Sequence, residues 1–166
     1  MNFVLRAAVI GLALVSLARA SEYSYVDISG QPQSIEQQIG NGDWVVVEIW
    51  ATTCTICERN AHHMVEFDRR YQNKSVKVIG ISADGKVRVD AAQDFVSRHN
   101  ISFLTLLDDA SNTTQFFEKS LGDVWPGVTP TYLLFDPEGE AVGYNFGPIK
   151  PEMLEKLITK LGGNLG

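Results

Sequence analysis

A seven-residue run, Trp44-Val45-Val46-Val47-Glu48-Ile49-Trp50, leads within four residues into Cys54-Thr55-Ile56-Cys57, where the apolar spacing changes from strand-like to helical. The run has no alternation and is rich in β-branched and aromatic residues, which suits a central strand covered on both faces. From Cys54 to about Tyr71, the residues Cys57, Ala61, Met64 and Tyr71 fall near one helical face, with Val65 and Phe67 flanking it. A buried strand that turns through a short loop into a helix opened by cysteines is a narrow constraint on the fold. It also constrains the cysteines, which are the only two in the chain. A stabilising disulfide gains most from closing a long loop, and a pair three apart closes almost nothing. Chemistry is the better reason for them.

The rest of the chain extends the strand and helix alternation. Tyr25 to Ile28 predicts a short strand before the turn Ser29-Gly30-Gln31-Pro32, and Val76 to Ser82 a second buried strand. Asp90 with Gln93 reads as a capping box for a helix carrying Ala92, Phe95, Val96 and His99 and ending near Asn100. Ile101 to Leu107 predicts a third core strand, and Asn112 with Gln115 the cap of a short helix bearing Phe116, Phe117 and Leu121. Thr131 to Phe135 and Ala141 to Phe146 flank Asp136-Pro137-Glu138-Gly139-Glu140, a hairpin signal. Pro151 suits the first turn of a last helix with the stripe Leu154, Leu157, Ile158 and Leu161, stopped by Gly162 and Gly163. This order implies an α/β fold with a central mixed sheet flanked by helices.

Residues 1–20 stand apart. Arg6, the apolar run Ala7 to Leu17 and Ala18-Arg19-Ala20 before Ser21 form a secretory signal pattern, leaving one domain over residues 21–166. The run is short of the ~20 residues a membrane span needs, so an uncleaved anchor is the alternative reading. The chain carries 20 acidic against 14 basic residues, a net charge of −6, and loss of the leader would remove Arg6 and Arg19 as well. Nucleic acid is excluded as a partner, because phosphate binding needs clustered positive charge. Asn73-Lys74-Ser75 and Asn112-Thr113-Thr114 are glycosylation sequons that matter only in a eukaryotic source.

At a helix N-terminus, unpaired backbone N–H groups and the positive end of the dipole favour a thiolate. This makes Cys54 the expected nucleophile. Cys57, one turn further in, is placed to resolve a mixed disulfide formed on Cys54. Half of a zinc site is the competing reading, but zinc wants about four ligands and no second CxxC is present. His62 and His63, adjacent on the helix, diverge by about 100° and do not both converge on the cysteines. Glu48 interrupts a run that should be buried. Burial without a cation raises a carboxyl pKa and would let Glu48 exchange a proton with Cys57; the alternative is a strand-end Glu that reaches water.

Trp50-Ala51-Thr52-Thr53-Cys54-Thr55-Ile56-Cys57 resembles the active-site segment of the thioredoxin superfamily, with matching features from about Trp44 to Leu161. The helix and strand inserted between Asp90 and Leu107, then Thr129-Pro130-Thr131 before an apolar strand, are most similar to the exported TlpA/ResA branch. That resemblance implies a thioredoxin-like fold and a thiol:disulfide oxidoreductase whose redox group is the Cys54–Cys57 disulfide, with no other cofactor. It implies a cis Pro130 beside the disulfide, with the Thr129 backbone exposed to pair with an extended substrate segment. Trp125, with Pro126 and Gly127, is expected either to form an apolar substrate rim or to anchor the core. Glu48 matches the buried acid that thioredoxins keep behind the cysteines, and Gly80 the position of their neighbouring Lys. The branch also implies a monomer in the bacterial periplasm that reduces protein disulfides, is recharged by a membrane electron donor of thiol-reducing type, and works in settings such as cytochrome c maturation. Thr53 replaces the branch's usual Trp, Thr55-Ile56 lacks its proline, and His62 stands where a proline bends the helix.

Three rivals share the fold. A disulfide-forming oxidase usually carries a basic residue between the cysteines, and none is here. A peroxidase of peroxiredoxin type needs Pro and Thr or Ser where Val47 and Ala51 stand. A copper- or haem-handling carrier has the thiolates that copper(I) favours, but no Met or His with a spacing that completes a site.

Overall fold

The computed structural model describes residues 23, 25–72, 74–108 and 110–166. The leader pattern and Asn73, the acceptor of the first sequon, lie outside them. Among the described residues, seven strands and four α-helices follow one another as β1 (Tyr25–Asp27), β2 (Pro32–Gln33), β3 (Trp44–Trp50), α1 (Thr55–Tyr71), β4 (Val76–Ser82), α2 (Val89–His99), β5 (Leu104–Leu107), α3 (Ser111–Leu121), β6 (Thr131–Phe135), β7 (Ala141–Phe146) and α4 (Pro151–Lys160). They build one mixed sheet in the order β2-β1-β5-β4-β3-β6-β7.

All seven residues of β3 are buried, because it sits between parallel β4 and antiparallel β6 with helices on both faces. Val45, Val47 and Ile49 point to the face covered by α3, where they pack with Phe116 and Phe117. Trp44 and Val46 point the other way, to Met64 and Phe67 of α1 and Leu154 and Ile158 of α4. At the end of the strand, Trp50 packs with Cys57 and Ala61 of α1 and stacks on Phe95 of α2, ring centroids 4.3 Å apart. Met64 and Phe67 are fully buried, each stabilising the fold by about 2 kcal/mol. The period of two along β3 therefore places Glu48 on the α1 face, between Val46 and Trp50.

Several local expectations give way to tertiary contacts. The capping box at Asp90 and Gln93 does not form, because a 3-10 turn over Lys86–Arg88 runs directly into α2 and leaves Arg88 at the N-cap. Gln93 instead donates from Nε2 to the Ile28 carbonyl at 2.7 Å. Asn112 does not cap α3 either: the N-cap is Ala110, in left-handed backbone at φ +70°. The buried Asp108, arriving from β5, accepts from the Thr113 N–H and hydroxyl, each at 2.6 Å, and from Asn112 Nδ2 at 3.0 Å. The third core strand begins at Leu104 rather than Ile101, since the Ile101 N–H closes the end of α2 by donating to the Val96 carbonyl. Leu161 lies past the end of α4 and is exposed, so it leaves the expected stripe.

Candidate active site

β3 ends at Trp50 and α1 begins at Thr55, which makes Cys54 the N-cap, in extended backbone at φ −82° and ψ 101°. Cys54 and Cys57 are joined in a disulfide. The Cys57 N–H donates to Cys54 Sγ at 3.0 Å, so the sulfur takes the part that a Ser or Asp oxygen plays in ordinary caps. An anionic sulfur there gains both this hydrogen bond and the helix dipole. The two cysteines differ in access: Cys57 is 2% exposed, packed against Trp50, while Cys54 is half-buried. Glu58, one turn into α1, is paired with Arg98 and His99 of α2, and the Arg98 guanidinium holds its carboxyl below the usual range.

The loop before β6 closes the other side. Thr129–Pro130 is a cis peptide bond, Pro130 is buried, and the Thr129 carbonyl oxygen lies 3.3 Å from Cys54 Sγ. That contact becomes an S–H···O hydrogen bond only when the cysteine is a protonated thiol. The loop is pinned by Thr131, whose hydroxyl donates to the Val128 carbonyl at 2.6 Å and accepts from the Trp125 indole N–H at 3.2 Å. Trp125 is buried in the α3-side core, which resolves its two readings in favour of the core anchor. It forms no rim. Exposed apolar residues adjoin the site in sequence: Ile56 lies between the cysteines, and Val128 precedes Thr129, whose carbonyl meets Cys54.

Glu48 is 4% exposed, so the alternative of a strand-end carboxylate in water is wrong. Burial pushes its carboxyl up to about 7, against an opposing pull from a hydrogen bond donated by the Tyr132 hydroxyl at 2.9 Å. Its register partner on β4 is Gly80. A Cβ there would meet the Trp50 indole nitrogen at 3.1 Å and Phe103 at 3.2 Å, so the space that a cation would need is filled by aromatic rings. His62 and His63 do not diverge as expected; their rings lie 4.2 Å apart, and among the described residues no cluster of three or more metal-ligating groups forms.

Tyr132 has no local sequence signal, since it reads as one more apolar strand residue. Replacing it with Phe removes the hydroxyl that stabilises ionised Glu48. The Glu48 midpoint is expected to rise further, and stability to fall by about 1–3 kcal/mol. Infrared titration of the carboxyl checks this, and an unchanged midpoint contradicts it.

The model of the AhpC/TSA family matches residues 18–142. The chain belongs to the AhpC/TSA family. Among the curated proteins similar to it are two named thiol-disulfide oxidoreductase ResA. That of Halalkalibacterium halodurans is 29% identical over 149 residues, covering 86% of this chain and 77% of the relative. That of Bacillus thuringiensis is 27% identical over 143 residues, covering 86% and 76%. A thiol:disulfide interchange protein of the thioredoxin family from Chlorobium tepidum superposes with a TM-score of 0.69 at 19% identity, covering 87% of this chain and 93% of that one. This likeness establishes the thioredoxin-like fold. With the Cys54–Cys57 pair in that setting, the chain is a thiol:disulfide oxidoreductase.

Proposed function

We propose that the chain is an exported dithiol reductase of protein disulfides, in which Cys54 attacks, Cys57 resolves and Glu48 handles the proton. The observation that carries this is the asymmetry of the pair: Cys54 sits half-buried at the start of α1 with a backbone N–H on its sulfur, and Cys57 is enclosed one turn in. The Cys54 thiolate attacks one sulfur of a substrate disulfide, forming a mixed disulfide and expelling the first substrate thiolate. Cys57 passes its proton to Glu48 and attacks Cys54 Sγ, forming the enzyme disulfide and expelling the second thiolate. Two electrons leave the enzyme, and each released thiolate takes up a proton. A thiol donor then returns two electrons to the Cys54–Cys57 disulfide; a membrane protein of thiol-reducing type suits that task. No cofactor beyond the disulfide is needed.

A protein substrate is favoured by the exposed apolar side chains of Ile56, between the cysteines, and Val128, next to Thr129, and by Thr129 itself, whose backbone borders Cys54 and is suited to pairing with an extended segment. The neutral Thr55-Ile56 pair favours reduction over oxidation, since strong oxidants owe their potential to a much depressed thiol pKa. The leader pattern supports export to a periplasm, with the domain working as a monomer, either free or tethered. Among the described residues no helix is long and apolar enough to cross a membrane.

Equilibration of the purified protein with glutathione buffers tests the direction. A potential near ~−270 mV is expected, and one near ~−120 mV would reassign the chain as a disulfide-forming oxidase.

A further inference from the structure

The loop from Ala51 to Thr53, which delivers Cys54 to the start of α1, is held by a carboxylate from the neighbouring strand. Asp84 follows β4, and its side chain is 6% exposed. Oδ2 accepts the Thr52 backbone N–H at 2.6 Å and the Ser82 hydroxyl at 3.0 Å, and Oδ1 accepts the Thr52 hydroxyl at 3.0 Å. Arg88 approaches loosely, with Nε 3.8 Å from Oδ1, and is itself half exposed. One residue earlier, the Ala83 N–H donates to the Trp50 carbonyl at 2.9 Å. The strand end and the loop centre are thus both tied to the β4 exit. Thr52 has no other anchor of comparable strength among the described contacts, and the Cys54 N–H reaches back only to Ala51, at 3.1 Å.

We propose that Asp84 is a positioning residue of the redox site: by clamping Thr52 it fixes the loop so that Cys54 takes the N-cap place, under the Cys57 N–H and against Thr129. The proposal rests on the assignment of Cys54 as the attacking sulfur. Asp84 touches neither cysteine, so its influence passes through Thr52. A loosened loop would carry Cys54 off the helix start, weakening the stabilisation of its thiolate and its alignment for attack. Misplacement of this kind by ~1 Å costs up to about 100-fold in rate.

Position and charge are separable at this residue. Asn at 84 can keep its oxygen on the Thr52 N–H and turn its amide toward the Thr52 hydroxyl, which then accepts; Ala keeps neither contact. The test measures exchange of the reduced full-length protein with oxidised glutathione between pH 5 and 9, beside thermal unfolding. Asp84→Ala is expected to lower the plateau rate about tenfold and move the midpoint up, toward the ~8.5 of a free thiol. Asp84→Asn is expected to restore most of the rate. A plateau and midpoint for Asp84→Ala equal to wild type would overturn the proposal even if the protein melts earlier, because a purely structural role moves only the melt. Equal downward shifts of the midpoint in Ala and Asn would overturn it as well, by making charge the operative property. Should Asp84→Ala not fold, Thr52→Val removes the hydroxyl half of the clamp alone; a smaller change in the same direction supports the proposal and no change refutes it. Wild-type protein that exchanges with no disulfide at all would sink the reductase reading and the proposal together, a result distinct from variants that merely match wild type.

Discussion

Replacing Cys57 with serine yields a protein that captures its substrates instead of releasing them. With Cys54 free to attack and no second thiol one turn away, the mixed disulfide on Cys54 can be broken only by an external thiol. Serine is close in size to cysteine at this 2% exposed position, so the fold and the N–H bond to Cys54 Sγ survive. Steady-state reduction of a protein disulfide such as insulin should fall by roughly 10³-fold or more, as expected when a member of an interdependent pair is lost. Cys54→Ser should lose turnover to the same degree and capture nothing, because the remaining sulfur is enclosed by Trp50 and Ala61. Non-reducing electrophoresis followed by mass spectrometry reads both variants. Adducts formed through Cys57 in the Cys54→Ser protein would reverse the assigned roles.

Glu48→Gln is expected to separate stability from catalysis. The folded carboxyl is raised from 4.5 to about 7, so the native state holds the proton more tightly than the unfolded chain. Its contribution to stability is complete below about pH 4.5, is lost as pH rises toward 7, and does not change further above that. The loss corresponds to about 3 kcal/mol at 1.36 kcal/mol per pKa unit. Glutamine keeps an acceptor for the Tyr132 hydroxyl and carries no ionisable proton, so the variant should unfold with a flatter pH dependence and gain up to about 3 kcal/mol over wild type at pH 8. Its thiol exchange at neutral pH should slow by about 10²-fold or more, the range for loss of a positioned acid or base. Denaturant melts at pH 4 and pH 8, with stopped-flow resolution rates, check the two halves separately. A rate and pH profile equal to wild type would remove Glu48 from the mechanism.

The parts legible in the sequence are those governed by short-range periodicity. The non-alternating run at Trp44–Trp50 implied a strand with no exposed face, and it is enclosed by α1 and α4 on one side and α3 on the other. The spacing of Cys57, Ala61 and Met64 marked the buried face of α1, which also takes in Phe67 and Asp68. Glu48 was legible as a candidate because a charge interrupts that run, but its burial, rather than a strand-end path to water, was decided by the packing around β3. The errors fall where a polar side chain could find its partner nearby or far away. Asp90 and Asn112 match local capping patterns, but the 3-10 turn ahead of α2 and the buried Asp108 ahead of α3 already supply what those helix starts need.

By itself, the order of residues determined the strand-loop-helix that carries Cys54 and Cys57 and the place of Cys57 on the inner face of α1, and it set an acid in the buried run six residues before the first of them without deciding whether that acid reaches water. Only the tertiary structure decided what surrounds them. Thr129 meets Cys54 Sγ across 75 positions of sequence, Tyr132 meets Glu48 across 84, and Asp84 meets Thr52 across 32. Periodicity reports which face of an element is buried, because burial depends on the local repeat. It cannot report which distant polar group meets that face, because that depends on the register of β3 with β4 and β6, which is set by the packing of the whole sheet.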